Sequence, residues 1–176
     1  MSKSGLLIVG MGAALIGFGL SRVKRRDKHF LVPSAEEFIA RAAVAVIYEV
    51  KAARIALTKG KDARLRAFAA TMIQDHAATG NELKTVARAI QVPVSLDRVR
   101  SSLVERLNSA APEEFDELYW RQQSEAHKDS ISLFTLFATS SDNPGPLKGF
   151  AAKTLPMLQR HQEMASELKA AAVSQI

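Results

Sequence analysis

At 176 residues with 47% hydrophobic content, the chain is long enough to bury one core and short enough to form one domain. Aromatic residues make up only 6% of it and cysteine is missing, which favours packed helices and excludes disulfides, thiolate metal sites and cysteine nucleophiles. The net charge of +6 does not indicate a nucleic-acid-binding protein. Residues 1–30 contain six of the 24 Lys and Arg and one acid, which leaves 18 bases against 17 acids in the rest.

The first element is an apolar run from Gly5 to Leu20 without any charged side chain. A helix of this length spans about 24 Å, slightly less than the roughly 30 Å hydrocarbon core of a membrane, and its neighbours up to Val23 can extend it. The run can be a retained single-pass anchor or the apolar region of a signal peptide. Only Lys3 precedes it and the basic cluster Arg22–Lys28 follows it, whereas a signal peptide has its positive charge in front. We therefore predict a membrane helix over residues 5–23.

The glycines of this run also resemble the start of a dinucleotide-binding loop. Gly10 and Gly12 follow four apolar residues, but the position of the third glycine is occupied by Leu15. No alternating pattern of strands and helices follows, so a nucleotide site is not predicted.

The rest of the chain, residues 31–176, predicts a helical domain that follows an N-terminal region of residues 1–30. Ser34 and Glu37 form a capping box, Asp62 and Ser95 can each cap a further helix, and Pro112 is expected at the first position of another. The predicted helices cover about residues 35–58, 63–91, 96–107, 112–139 and 147–172. The 20-residue segment 92–111 is long enough to cross a bundle from end to end, so the helices on either side of it can run parallel.

Four polar residues fall on or near the apolar faces of the four long helices, close to the middle of each. They are Glu49, His76, His127 and His161, and His127 is the one nearest the edge of its apolar face. A buried imidazole needs a hydrogen-bond partner or a metal, because leaving it unpaired costs a few kcal/mol. Three imidazoles and one carboxylate at one depth predict a site for Zn, Fe, Mn or Cu as divalent ions.

The alternative is that each of these histidines only makes hydrogen bonds within the core. Glu49 can equally form an ion pair or rotate towards solvent, and Asp75, next to His76, faces another direction, where it orients some other group or is solvated. Nothing in the spacing suggests a catalytic triad, a phosphate-binding loop or the Glu-x-x-His pairs of di-iron bundles. The residues therefore favour a non-enzymatic protein without excluding an enzyme.

Four motifs in order resemble a bacterial family known as domain of unknown function 4142. They are Ala45–Ala56 around Glu49, Leu65–His76, Phe115–His127 and Phe150–His161, and the resemblance covers about residues 36–170. It implies a ferritin-like four-helix bundle, usually exported or attached to a membrane, without an established activity.

Together these inferences predict an all-α, ferritin-like four-helix bundle with a short extra helix between its second and third helices, preceded by a transmembrane helix. The expected location is the bacterial inner membrane. The basic cluster after the apolar run favours a cytoplasmic bundle. Members of the resembling family are generally exported, which favours the periplasmic face, and we take this face as the expectation. A metal- or ligand-binding envelope protein is one hypothesis and a structural or stress-related interaction module is the other; a homo-oligomer is compatible with both.

Overall fold

The structure, a computed structural model, describes residues 32–88, 90–143 and 145–173. These residues form five helices, so the prediction of an all-α helical bundle is confirmed. The helices are α1 (Ala35–Lys59), α2 (Ala63–Ala87), α3 (Arg98–Ser109), α4 (Phe115–Thr139) and α5 (Gly145–Val173). The predicted membrane helix over residues 5–23 lies outside the described residues. Of the helices that are described, none is both long and apolar enough to cross a membrane.

The first two helices begin where their capping residues predict. The Ser34 hydroxyl accepts a hydrogen bond from the Glu37 amide, and the Glu37 carboxylate accepts one from the Ser34 amide, which completes the predicted capping box of α1. Asp62 caps α2 by accepting from the amide of Arg64 at 2.8 Å. Helix α1 ends at Gly60, whose backbone is extended with a ψ of 131°. A Cβ atom at this position would lie 2.7 Å from both the Ala56 carbonyl oxygen and a methyl group of Leu65.

Several predicted boundaries differ from the structure by two to four residues. Helix α2 ends at Ala87 instead of residue 91, because Arg88 takes a positive φ of 53° that stops the helix. The cap of α3 is Asp97, whose carboxylate accepts from the Arg100 amide at 2.7 Å, so this helix begins two residues later than the Ser95 cap implied. Pro112 lies in a turn, and α4 begins only at Phe115.

The four long helices form a square in which α1 packs against α2 and α4, and α5 packs against the same two helices. Phe38 near the start of α1 stacks on Phe137 near the end of α4, at 4.0 Å between ring centroids, and contacts Phe150 near the start of α5. Leu83 near the end of α2 belongs to the same apolar cluster. Helices α1 and α5 therefore run in one direction and α2 and α4 in the other. The connection through α3, which packs against α1 and α4, returns the chain to the opposite end of the bundle.

The core consists of two apolar clusters that lie towards opposite ends of the bundle. One includes Phe68, Met72 and Phe115, and the other includes Phe38 and Leu133. Each of the four long helices passes from one cluster to the other near its middle. The four predicted polar residues lie near this junction. The other buried polar side chains of the described residues are Gln122, Gln123, Ser130 and Thr154.

Candidate metal centre

The structure places all four predicted residues inside the bundle. Glu49 is 1% exposed, His76 is 3% exposed, and neither His127 nor His161 is exposed to solvent. The alternative of a partly exposed Glu49 is therefore excluded. His127, which the sequence places nearest the edge of its apolar face, is as deeply buried as the other three.

The three histidines form a compact group. Their ring centroids lie 5.6 Å apart for His76 and His127, 5.3 Å for His76 and His161, and 5.4 Å for His127 and His161. One ring nitrogen from each histidine lies within 4.8 Å of the other two. Helices α2, α4 and α5 each contribute one imidazole, so the cluster exists only when these three helices are packed together.

A carboxylate fixes the orientation of the His161 ring. Its Nε2 lies 2.9 Å from Oδ2 of Asp75, which also accepts a hydrogen bond from Arg160 at 3.3 Å. An ionised carboxylate only accepts, so the proton of a neutral His161 is on Nε2. Its Nδ1 is buried and has no hydrogen-bond partner in the described part of the chain. Of the two roles that the sequence allows for Asp75, the structure shows the orienting one.

A backbone carbonyl does the same for His127. Its Nδ1 donates to the carbonyl oxygen of Gln123, one helical turn earlier, at 2.8 Å. The other nitrogen, Nε2, is buried and has no hydrogen-bond partner among the described residues. Both rings thus have their N–H directed at an oxygen and a lone pair left unused. This is the arrangement in which histidine binds metals, because a second hydrogen bond sets the tautomer.

His76 differs from the other two because neither of its ring nitrogens has a hydrogen-bond partner within the described residues. It lies at 3% exposure among His127, His161 and the surrounding core. A buried imidazole of this kind is rare, since its desolvation is uncompensated. A bound cation would compensate it directly.

The pKa values of all three histidines are lowered. Burial has the largest effect on each, lowering the pKa of His127 to about 4 and that of His76 well below its usual value of 6.5. Mutual repulsion between the rings lowers the pKa of His76 further, whereas the hydrogen bond that His161 donates to Asp75 raises the pKa of His161 and partly opposes the effect of burial. The three imidazoles are therefore neutral near pH 7, which is the protonation state that a metal ligand needs.

Glu49 lies beside the histidine group. One of its carboxylate oxygens is 3.9 Å from Nδ1 of His127, the nitrogen that is hydrogen-bonded to the Gln123 carbonyl. Burial raises the pKa of Glu49 to about 8, although Arg100 and the Gln123 side chain act in the opposite direction. Both oxygens lack a hydrogen-bond partner in the part of the chain that is described. Glu49 is thus a buried carboxyl group at the edge of the three-histidine centre.

The nitrogen geometry is close to that of a metal site. Three nitrogens at about 2.0–2.1 Å from one tetrahedral ion lie about 3.4 Å apart, compared with the present separations of up to 4.8 Å. A contraction of up to about 1.4 Å between the nitrogens would bring them to these separations. Three neutral imidazoles also suit Zn²⁺, Fe²⁺, Mn²⁺ and Cu²⁺ better than Ca²⁺ or Mg²⁺, which prefer oxygen ligands.

Two features of this centre are not predicted by the sequence. A helical wheel turns Asp75 away from His76, and only the packing of α2 on α5 brings it to His161. The interaction of His127 with the Gln123 carbonyl has a usable signal, because a residue four positions earlier in a helix lies one turn below the ring.

Comparison with known proteins identifies the family of the chain. A family model described as "Domain of unknown function (DUF4142)" matches residues 23–168. No match was found among curated proteins, and none among solved structures. The matched range includes all five helices except the last residues of α5, together with every residue of the candidate centre. The chain therefore belongs to the domain of unknown function 4142 family.

Proposed function

We propose that this protein is a metal-binding helical bundle, in which His76, His127 and His161 bind one divalent transition-metal ion. The observation that carries the proposal is the presence of three buried, neutral imidazoles with a ring nitrogen of each within 4.8 Å of the other two. Two of these rings are already oriented by second hydrogen bonds, and the third has no other partner in the described residues.

Three histidine ligands leave one position of a tetrahedral site for another donor. Glu49 would have to move its side chain to become this donor, because its nearest oxygen now lies 3.9 Å from Nδ1 of His127, the nitrogen that is already hydrogen-bonded to Gln123. It would then supply the negative charge that partly balances the ion. Without this movement, the fourth position belongs to water or a small ligand.

The alternative, a structural interaction module with hydrogen-bonded core histidines, accounts for only part of the centre. Hydrogen bonding to Asp75 and to the Gln123 carbonyl explains the burial of His161 and His127. It does not explain the burial of His76, because neither of its ring nitrogens has a hydrogen-bond partner among the described residues. We therefore prefer metal binding.

We also propose that the bundle is ferritin-like. Support comes from the parallel course of α2 and α4 and from the single long crossover that contains α3, since one long crossover distinguishes ferritin-like bundles from up-and-down bundles. The likeness concerns architecture. The Glu-x-x-His pairs that bind two irons in such bundles have no counterpart here.

The proposed anchor is the apolar run within residues 5–23, which would hold the bundle at the inner membrane, with the bundle on the periplasmic face. The family resemblance favours this side and the basic cluster Arg22–Lys28 favours the other. Protease added to intact spheroplasts distinguishes them. Digestion of the bundle supports the periplasmic face, and protection until lysis overturns it.

The test of metal binding is elemental analysis of the full chain, purified without a polyhistidine tag and then titrated with Zn²⁺, Fe²⁺, Mn²⁺ and Cu²⁺ in turn. We expect about one equivalent of one of these ions. His76→Ala should abolish binding while the helical content is retained. The chain's remaining histidine, His29, precedes the described residues, and His29→Ala is the control that should bind normally. Wild-type protein that takes up none of the four ions would overturn the proposal.

A further inference from the structure

A groove on the outer face of the bundle lies between α1 and α2 and is partly covered by the chain that follows α2. Its volume is about 380 Å³, within the range of sites that bind small molecules. The lining residues run along α1 from Ala43 to Arg54, a distance of about 16 Å at the helical rise. It is separate from the histidine centre, whose residues do not line it.

The floor of the groove is apolar. Its central residues are Val46, Ile47, Val50 and Val92, which are all partly exposed, and Val94 at the edge is 87% exposed. Val94 is the most exposed large hydrophobic side chain among the described residues. A continuous apolar strip open to solvent costs free energy, and such strips commonly mark binding sites.

The rim of the groove is positively charged. Lys51, Arg54 and Lys84 line it and are exposed, and none of the three forms an ion pair with another described residue. The lining contains no acidic residue. After residue 30 the chain carries 18 bases and 17 acids, so three unpaired cations around one groove are a local excess in a nearly neutral domain.

Contact between the two helices also shapes the groove. Gly80 of α2 lies so close to α1 that a Cβ atom would be 2.9 Å from Cγ1 of Val46. The absence of a side chain at residue 80 keeps the floor of the groove open on the α2 side. The chain at Val92, Pro93 and Val94 closes part of the opposite side.

We propose that this groove binds a single-chain anionic amphiphile of the long-chain carboxylate class. The alkyl chain would lie along the valines of α1 and the carboxylate would pair with Lys51, Arg54 or Lys84. Apolar contact would supply the affinity, and the cations would select a negative head group. A nucleotide or a free phosphate would leave the apolar floor unfilled, and a neutral lipid would leave the cations unused.

The test uses the full chain and monomeric dodecanoate, with binding measured by calorimetric titration at low salt. We expect saturable binding of one equivalent, weaker binding of dodecanol and none of acetate. The double variant Lys51→Ser/Arg54→Ser should bind on the order of tenfold more weakly, since each exposed ion pair contributes modestly. Val94→Asp, which places a negative charge at the exposed edge of the floor, should also weaken binding.

The matched control is the double variant Arg41→Ser/Arg98→Ser, which changes the net charge equally. It removes two exposed cations that lie outside the groove and form no ion pair with a described residue. It should bind dodecanoate as the wild type does. Equal loss in the control would show that only the overall charge matters and would overturn the proposal. Binding to anionic vesicles without any binding of monomeric dodecanoate would overturn it too, because the surface would then recognise a membrane.

Discussion

Nε2 of His161 on α5 lies 2.9 Å from Oδ2 of Asp75 on α2, and this contact joins two helices at the depth of the histidine centre. It fixes which nitrogen of His161 carries the proton and leaves Nδ1 without a hydrogen-bond partner among the described residues. The same carboxylate accepts a hydrogen bond from Arg160 at 3.3 Å. Asp75 thus positions the His161 ring; under the proposed function it would have the role that carboxylates have behind many zinc-bound histidines.

Replacement of Asp75 by alanine should lower metal affinity by about 10–100-fold, the usual effect of removing such a partner. His161 would then lose the hydrogen bond that sets its tautomer. Asp75→Asn should have a smaller effect, since the amide oxygen can still accept from Nε2. Competition with a chelator measures both affinities. Glu82→Gln is the control, because Glu82 also pairs with a residue of α5, Lys153, but at the surface; an equal loss there would assign the effect to helix packing.

His76→Leu should have opposite effects on the metal-free and the metal-loaded protein. Without metal, the variant should be as stable as the wild type or more stable by about 1–2 kcal/mol, because a buried imidazole without a described partner is replaced by an apolar side chain. With metal at 100 times its dissociation constant, the wild type should gain about 2.7 kcal/mol and the variant nothing. Urea unfolding with and without metal measures both. A metal-free loss of more than about 2 kcal/mol would instead mean that His76 makes a core hydrogen bond.

Much of the fold follows from local sequence signals. The hydroxyl of Ser34 and the carboxylate of Asp62 begin α1 and α2 where a capping residue is expected, because a cap interacts only with its own first turn. The end of α2 is not predictable in the same way. Ile90 continues the apolar periodicity of the helix and packs against the core, but it does so after the backbone has turned at Arg88. Periodicity records which side chains are buried and does not record whether the backbone is still helical.

The candidate centre likewise has features that the sequence of one helix predicts and features that it does not. The inward direction of Glu49, His76 and His161 follows from helical periodicity, because each shares a face with the apolar residues of its own helix. Two contacts depend on how the helices rotate against one another. They are the contact of Asp75 with His161 and the approach of Glu49 to Nδ1 of His127. That rotation is set by packing across the whole interface, which no single helix encodes.

Glu49 should make the metal-free protein less stable as the pH rises. Its pKa is about 8 in the folded protein and 4.5 when exposed, so between these values the folded state binds more protons than the unfolded state. Its contribution is fully present below about pH 4.5 and is lost as the pH rises through 8. Glu49→Gln, which cannot ionise, should therefore become more stable relative to the wild type by on the order of a few kcal/mol between pH 5 and 9. Denaturant unfolding in the presence of a chelator measures this, and a constant difference across the range would contradict the shift.

The histidines should make the metal-free protein less stable as the pH falls. Their pKa values are lowered in the folded protein, to about 4 for His127, so below about 6.5 the unfolded state binds more protons. The contribution of the neutral histidines to stability is therefore fully present above pH 6.5. It is lost as the pH falls from 6.5 to 4, by up to about 1.4 kcal/mol per pH unit for each histidine. In a Glu49→Gln background, which removes the opposing carboxyl group, further replacement of His127 by Gln should make the slope shallower. An unchanged slope would mean that His127 does not titrate on unfolding in this range.

The contact between Gly80 and Val46 should limit which side chains α2 can carry. A Cβ atom at residue 80 would lie 2.9 Å from Cγ1 of Val46, and a β-branched side chain has little freedom to move away. Gly80→Ala should therefore cost about 1–3 kcal/mol by overpacking, more than the roughly 0.5–1 kcal/mol that alanine contributes to a helix. Val46→Ala in the same chain should restore most of the loss, giving a coupling of at least about 1 kcal/mol in a double-mutant cycle.

Gly149→Ala in α5 is the control, since a Cβ atom there meets nothing within 4 Å and the substitution should stabilise the protein. If Gly80→Ala stabilised the bundle as Gly149→Ala does, α1 and α2 would not be as close as 2.9 Å implies.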